Sequence, residues 1–256
     1  MKDGKDIRIL FLDILTDDPK IKQGIDDGVY AGKNYSESMR RAFSLPAKNW
    51  TLCDASQGVF PQNIKIFDAV VIGGSTMDPM KGLEKPWMKA TYKFIKRLIK
   101  ANTPILGICG GLQFVARAFG KKVIFNPKGR EFGGLPIALT TNGRSDPLFK
   151  DIPDNPIVSL SHKCMVADMG EDWKLLASSK LCEYQAYAIG SKIRLTQFHP
   201  EMTAKELKLL AKFRKASLMK EGFFKDDEEY KDFLAAIADN NAIGKKIIDN
   251  FINYFI

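Results

Sequence analysis

The chain of 256 residues is 45% hydrophobic and 27% charged, a composition that excludes a disordered protein and can supply one substantial core. Its net charge of +9 suggests a nucleic-acid ligand, but the basic residues lie along predicted helices opposite apolar stripes. No recognition-helix or RNA-binding motif accompanies them. We therefore expect a solvated basic surface and no nucleic-acid partner.

The N-terminus and the cysteines indicate where the protein works. Residues 1–6 form a short polar segment, unlike a secretory signal peptide. No segment approaches the roughly 18 consecutive apolar residues of a membrane span. Cys53, Cys109, Cys164 and Cys182 form no C-x-x-C pair, which argues against a disulfide framework and against a zinc cluster. We expect a cytoplasmic protein with no membrane partner and no metal site.

The first half of the chain alternates between strand and helix patterns. The predicted elements are, in order, a strand over 7–12, a helix over 35–43, a strand over 67–72, a helix over 86–101, a strand over 104–108 and a helix over 112–119. Residues 16–58 are otherwise polar and irregular. Alternation of this kind predicts a parallel sheet with right-handed crossovers.

The second half begins with short strands and ends in helices. Strands are predicted over 122–125, 138–141, 157–161, 173–177, 183–189 and 193–198, separated by glycine and proline turns. The last helix is marked by apolar residues every three or four positions from Ile243 to Phe255. No internal repeat or linker interrupts the chain. We predict a single α/β domain over 1–256, with a mostly parallel central sheet and helices on both faces.

The segment Gly107-Ile108-Cys109-Gly110-Gly111 is typical of a nucleophile held on a sharp turn between a strand and a helix. Cys109 at the helix N-terminus would be favoured as the thiolate, and the Gly110 amide would point toward a developing oxyanion. The amide of Gly74, in the glycine turn after the preceding strand, is the second predicted donor. A buried structural cysteine before a helix is the alternative interpretation of this motif.

A cysteine nucleophile needs a base, and the chain has only two histidines. His199 follows the predicted strand over 193–198, and Glu201 two residues later would lie on the same side of an extended chain. That carboxylate could orient the imidazole and stabilise its charged form. His162 has no nearby carboxylate in sequence and is followed by Lys163, so we predict His199 as the base and His162 as a residue near the pocket.

These motifs resemble those of class I glutamine amidotransferases. Residues 107–113, G-I-C-G-G-L-Q, are similar to the G-x-C-x-G-x-Q signature, and residues 199–201 are similar to the H-P-E signature that carries the other two triad members. Weaker similarities are the glycine loop at 72–75, the E-x-G element at 131–133 and the S-H element at 161–162. The resemblance implies the flavodoxin-like fold of that family and no cofactor. It also places three side chains at the substrate, Gln113, Glu131 and His162, although Gln113 could equally cap its helix.

The resemblance implies hydrolysis of the γ-amide of glutamine or of a γ-glutamyl compound through a cysteine thioester. Many family members have an acidic residue soon after the S-H element, where this chain has residues 163–165, K-C-M. That departure leaves open whether free glutamine is the substrate. Cys164 and Cys182 are interpreted as structural.

Three alternatives remain at this point. The chain could pass ammonia to a separate synthase subunit, or it could be an α/β-hydrolase whose acid, Asp146 or Asp168, precedes the histidine in sequence. It could also be a non-catalytic binding protein, in which case Cys109 would react no faster with iodoacetamide than Cys53.

Overall fold

The computed structural model describes residues 7–256. Residues 1–6, which the sequence analysis predicted not to be a signal peptide, lie outside the described residues. The strands are β1 (Ile9–Asp13), β2 (Trp50–Asp54), β3 (Ala69–Ile72), β4 (Ile105–Ile108), β5 (Val123–Phe125), β6 (Glu131–Pro136), β7 (Ala138–Leu139), β8 (Ile157–His162), β9 (Cys164–Val166), β10 (Trp173–Ser178), β11 (Ala186–Ile189) and β12 (Ile193–Thr196). The α-helices are α1 (Pro19–Gly28), α2 (Tyr35–Ala42), α3 (Pro86–Lys100), α4 (Gly110–Ala118), α5 (Thr141–Ser145), α6 (Ala204–Phe213), α7 (Lys215–Lys220), α8 (Asp227–Ala236) and α9 (Asn241–Phe255).

Eight strands form the central sheet in the order β2-β1-β3-β4-β12-β11-β10-β7. The first five run parallel, and β11, β10 and β7 extend the sheet with antiparallel pairing. Strand β1 is buried on both faces, as its unbroken apolar sequence predicts. The mostly parallel sheet predicted from the sequence is confirmed.

Two apolar clusters cover the two faces of this sheet. On β1, Ile9 and Phe11 belong to one cluster, while Leu10 and Leu12 belong to the other, because successive side chains of a strand point to opposite faces. Helices α1, α2, α6 and α9 contribute to the first cluster, and α3 and α4 contribute to the second. Helices therefore lie on both faces of the sheet, which confirms the predicted fold class.

Helix α3 carries its basic residues on its exposed face. Its apolar positions, including Trp87, Phe94 and Leu98, are buried, whereas Lys89 and Lys93 are exposed. The charges therefore project into solvent, as the spacing predicts. Within residues 7–256, no helix has the length and apolarity that a membrane crossing requires.

Several elements were not predicted from the sequence, among them α1, β2 and β6. Helix α1 has few apolar residues, so its sequence shows only a helix start. Asp18 caps that start by accepting hydrogen bonds from the amides of Lys20 and Ile21, and Pro19 is the first helical residue. Strand β2 is a half-exposed edge strand. Strand β6 contains two glycines and ends in Pro136, a composition typical of turns, and its pairing with β8 defines it.

A buried ion pair supports β12, the strand that leads to His199. Arg194 on β12 donates from Nε to Asp146 Oδ1 at 2.9 Å, and its Nη2 lies 2.9 Å from Oδ2. Both side chains are less than a tenth exposed. Removing one partner of such a pair leaves an uncompensated buried charge.

We expect Asp146→Ala to lower the free energy of unfolding by about 3–5 kcal/mol, because the Arg194 guanidinium would remain buried without its carboxylate. Urea unfolding measures the change. Asp154→Ala is the matched control, since Asp154 is 62% exposed and lies 3.8 Å from Arg144. Equal stability of the two variants would contradict a structural role for Asp146.

Candidate active site

Three neighbouring parallel strands end at the same edge of the sheet. Strands β3, β4 and β12 are adjacent, with Ile72 opposite Gly107 and Thr196 opposite Ile108. The glycine turn at 73–74 follows β3, Cys109 follows β4, and His199 follows β12 by three residues. The topology therefore brings together groups that are about ninety residues apart in the chain.

Cys109 occupies a tight, strained turn between β4 and α4. Its φ of 51° lies in the left-handed region, which is uncommon for a residue with a side chain and recurs at active sites. A Cβ atom at Gly111 would lie 2.3 Å from the Ile72 carbonyl oxygen, and one at Gly107 would lie 2.5 Å from Leu195. Side chains at these two positions would clash, which explains why glycines flank the cysteine.

Cys109 is 5% exposed, and its sulfur has polar neighbours. The Gln197 side-chain amide donates to the sulfur at 3.5 Å, and the Ser161 carbonyl oxygen lies 3.9 Å away. Gln113 in turn donates from Nε2 to the side-chain oxygen of Gln197 at 3.0 Å. The predicted pocket residue Gln113 thus orients Gln197. The sequence analysis did not identify Gln197 as a residue of the site.

His199 and Glu201 are buried together beside the thiol. The imidazole Nδ1 lies 2.7 Å from Glu201 Oε1, which leaves Nε2 as the nitrogen available to Cys109. Burial alone would lower the pKa of His199, but the charges of Glu201 and Cys109 and hydrogen bonds to both raise it from 6.5 to about 10. The imidazolium is therefore the form of His199 expected at neutral pH.

The contact between His199 and Glu201 arises from a turn and not from an extended strand. Strand β12 ends at Thr196, two residues earlier than predicted. The Met202 amide donates to the His199 carbonyl at 3.3 Å, and the His199 amide donates to the Ser159 carbonyl at 2.8 Å. These bonds fix the segment after β12 and hold the carboxylate against the ring.

The two predicted oxyanion donors differ in their surroundings. Gly110 is the first residue of α4, so its amide has no acceptor within the helix. The Gly74 amide donates to the hydroxyl of Tyr35 at 2.6 Å. Tyr35 opens α2 and was not identified from the sequence as a residue of the site, because only the tertiary fold brings it to the glycine turn.

The other predicted substrate residues are divided between the cavity and the layer behind it. Gln113 and His162 line a cavity of about 190 Å³ next to Cys109, whereas Glu131 does not. Glu131 Oε2 lies 3.0 Å from His162 Nε2, and the other ring nitrogen lies 3.0 Å from the Cys164 carbonyl oxygen. Glu131 therefore contacts His162 and does not border the cavity itself.

Glu131, His162 and Cys182 also form a buried group whose ligand atoms lie within 4.8 Å of one another, a spacing that could hold a metal ion. The Glu131 carboxylate already accepts hydrogen bonds from Ser179 and Gln185, each at 2.6 Å. Hydrogen bonds and the nearby imidazole thus account for the burial of this carboxylate.

An acidic residue does reach the position where the K-C-M sequence departs from the family pattern. Asp78, in the loop after β3, lies 2.8 Å from the Lys163 ammonium group and accepts from the Cys164 thiol at 3.3 Å. It lines the same cavity as Cys109. A different segment of the chain therefore supplies a carboxylate to this part of the cavity wall.

The two aspartates proposed for an α/β-hydrolase arrangement are engaged elsewhere. Asp146 binds Arg194, and Asp168 accepts from the Lys122 amide at 3.0 Å. Among the described residues, Glu201 is the carboxylate in contact with His199. The acid of the site follows the histidine in sequence.

The family model for glutamine amidotransferase class-I matches residues 34–216 of this chain. The chain belongs to that family. Gamma-glutamyl peptidase 4 of Arabidopsis thaliana is 30% identical over 182 residues, which cover 68% of this chain and 72% of the peptidase. A glutamine-hydrolyzing GMP synthase of Caldicellulosiruptor saccharolyticus is 37% identical over 115 residues, 43% of this chain and 21% of the synthase.

The fold has close counterparts among solved structures. A glutamine amidotransferase from Thermotoga maritima superimposes with a TM-score of 0.72 at 22% identity, covering 96% of both chains. At this level of identity the likeness concerns the fold. The central sheet and its flanking helices are therefore those of the family.

Replacing Glu201 with glutamine should lower the pKa of His199 by roughly 1–3 pH units, because burial would then be opposed by Cys109 alone. In the unsubstituted chain, His199 binds its proton more tightly in the folded state than in the unfolded state. This protonation therefore stabilises the fold, and the effect is complete below pH 6.5. That effect is lost as the pH rises through about 10.

NMR titration measures this pKa directly, since the chain contains two histidines and His162→Gln assigns the signals. The His199 ring of the unsubstituted chain should remain protonated at pH 8. In Glu201→Gln the ring should lose its proton at a pH roughly 1–3 units lower than in the unsubstituted chain. A wild-type His199 that titrates near 6.5 would contradict the charge arrangement.

Proposed function

We propose that this chain is a cysteine-dependent hydrolase that cleaves the γ-amide of glutamine or a γ-glutamyl compound. The single observation that carries the proposal is the buried contact of His199 with Glu201 beside a thiol on a strained strand-helix turn. A nucleophile, a base and an orienting carboxylate in this order of contact are the parts that covalent amide hydrolysis needs. Family membership supports the same chemistry.

In the first half of the reaction, the Cys109 thiolate attacks the γ-carbonyl carbon and forms a carbon-sulfur bond. The amides of Gly74 and Gly110 hold the oxyanion, and each such donor contributes about 3–4 kcal/mol in related hydrolases. The Gly74 N–H donates to the Tyr35 hydroxyl, so this amide can hold the oxyanion only by exchanging that acceptor for the substrate oxygen. Collapse breaks the carbon-nitrogen bond, and His199 gives the Nε2 proton to the leaving nitrogen.

In the second half, His199 Nε2 removes a proton from water, and the resulting hydroxide attacks the γ-glutamyl thioester. The carbon-sulfur bond breaks, the γ-carboxylate is released, and the thiolate and imidazolium are restored. Glu201 holds the ring and its charge throughout. The Gln197 amide, 3.5 Å from the sulfur, is placed to stabilise the thiolate between turnovers.

The proposed substrate is small. The cavity of about 190 Å³ is smaller than the roughly 300–1,000 Å³ of pockets for drug-sized ligands, which suits an amino-acid amide or a dipeptide. Similarity to a gamma-glutamyl peptidase over two thirds of this chain supports a γ-glutamyl compound. The described cysteines are buried free thiols, and the cytoplasmic location stays a prediction from the sequence.

A second candidate function is glutamine hydrolysis for a separate synthase subunit. The similarity to a GMP synthase favours it, because that relative is named as glutamine-hydrolyzing. This candidate uses the same triad and differs in the fate of ammonia. A large rise in glutaminase rate on mixing with a synthase would favour it over a self-sufficient hydrolase.

The glutamine analogue 6-diazo-5-oxo-norleucine should label Cys109 in the wild-type chain, and His199→Ala should label far more slowly because the thiol loses its partner. Mass spectrometry of the digested chain identifies the labelled residue. Burial raises the pKa of Cys53 to about 11 and that of Cys182 to about 12, so these thiols should stay unlabelled.

Turnover provides the matching activity measurement. Wild-type chain should release amine from glutamine or a γ-glutamyl dipeptide, whereas Cys109→Ala should be inactive and Cys53→Ala should retain the wild-type rate. Labelling of another cysteine, or equal turnover by Cys109→Ala, would overturn the assignment. Equal iodoacetamide reactivity of Cys109 and Cys53 would instead support a non-catalytic binding protein.

A further inference from the structure

One wall of the cavity comes from the C-terminal part of the chain and belongs to none of the sequence motifs. Arg214 lies in the turn between α6 and α7, and Ser217, Leu218 and Glu221 follow on and after α7. Arg214 also borders a second, smaller cavity of about 40 Å³ that contains His199, and Cys109 lines both. The guanidinium is therefore at the junction of the two spaces beside the nucleophile.

Three cationic side chains line the larger cavity, and two of them have carboxylate partners. Arg130 forms a two-pronged pair with Glu221 at 2.7–3.0 Å, and Lys163 pairs with Asp78 at 2.8 Å. Arg214 donates from Nη1 to the Ser161 hydroxyl at 3.0 Å. Within residues 7–256 it forms no ion pair with a carboxylate, so its charge is available to a ligand.

The environment of Arg214 is costly for a cation in the absence of an anion. Burial, followed by the positive charge of Arg130, lowers its pKa, while a negative charge on Cys109 would raise it. Arg214 is only partly exposed, so its charge is incompletely solvated, and a cation in this position favours a ligand of opposite charge. A planar guanidinium is also well suited to bind a carboxylate through two parallel hydrogen bonds.

We propose that Arg214 is a specificity-determining residue that binds a carboxylate of the substrate and selects γ-glutamyl amino acids. The proposal rests on the proposed hydrolase function. Such a substrate has two candidate carboxylates, the α-carboxylate of the γ-glutamyl group and the carboxylate of the leaving amino acid. Both lie only a few bonds from the scissile amide, and Arg214 borders the spaces on both sides of Cys109.

Three substrates distinguish the two carboxylates. γ-Glutamylglycine has both, γ-glutamylglycinamide lacks the leaving-group carboxylate, and 4-aminobutanoylglycine lacks the α-carboxylate. Arg214→Gln should reduce kcat/KM for γ-glutamylglycine by about 10- to 100-fold, the effect of losing a charged hydrogen bond. Arg214→Gln should have little effect on kcat/KM for the analogue that lacks the carboxylate bound by Arg214. The unaffected analogue therefore identifies which of the two carboxylates Arg214 binds.

Lys212→Gln is the matched control, because it removes one positive charge from the exposed face of α6 two residues earlier. Its kcat/KM values should equal those of the wild-type chain for all three substrates. Arg214→Lys keeps the charge without the two-pronged geometry and should fall between wild type and Arg214→Gln. It also provides a test if the glutamine variant folds poorly.

An equal loss by Arg214→Gln on all three substrates would overturn the proposal, since it would indicate a general effect on the thiolate or on packing. Calorimetry with γ-glutamylglycine in the Cys109→Ala background measures binding without turnover. There, Arg214→Gln should weaken binding by about tenfold or more, and unchanged binding would overturn the proposal. Absence of turnover by the wild-type chain would refute the hydrolase function, whereas the binding comparison would still test Arg214.

Discussion

The site depends on the position of one thiol at the edge of the central sheet, where the residues that flank the cysteine have no room for side chains. Cys109 can follow β4 and start α4 only because its flanking glycines approach the Ile72 carbonyl and the Leu195 side chain closely. The same three parallel strands deliver the glycine turn on one side and His199 on the other. Displacement of one strand end would separate the Cys109 thiol from the His199 imidazole.

Electrostatics then determines what this placement can do. A buried imidazole would ordinarily be neutral, and the Glu201 carboxylate together with Cys109 reverses that preference. The same low-dielectric surroundings strengthen the attraction between a thiolate and an imidazolium. Burial that would make a lone cysteine unreactive therefore supports reactivity when a charged partner is buried beside it.

The features predicted well from the sequence are those encoded in short segments. The strand-turn-helix around Cys109 is encoded in five residues, and the H-P-E segment about ninety residues later contains both the histidine and the carboxylate that contacts it. The apolar runs of β1, β3 and β4 identify a sheet covered on both faces for the same reason. Local sequence determines these features because each involves neighbours in the chain.

The features that could not be predicted depend on contacts between distant segments. Three residues reach the site from distant segments, Gln197 from just after β12, Tyr35 from α2 and Arg214 from the turn after α6, and no local pattern marks any of them. Asp78 likewise contacts Lys163, which is more than eighty residues away in the chain. Strand β6 was missed because its glycines and proline resemble a turn until β8 pairs with it.

The central claim is that Cys109 carries the acyl group during turnover, and acid quenching of the wild-type chain during steady-state hydrolysis of γ-glutamylglycine tests it most directly. Peptide mass spectrometry should find a γ-glutamyl thioester on the peptide that contains Cys109. Turnover with no acyl group on any cysteine, or with the group on Cys53, Cys164 or Cys182, would contradict the account.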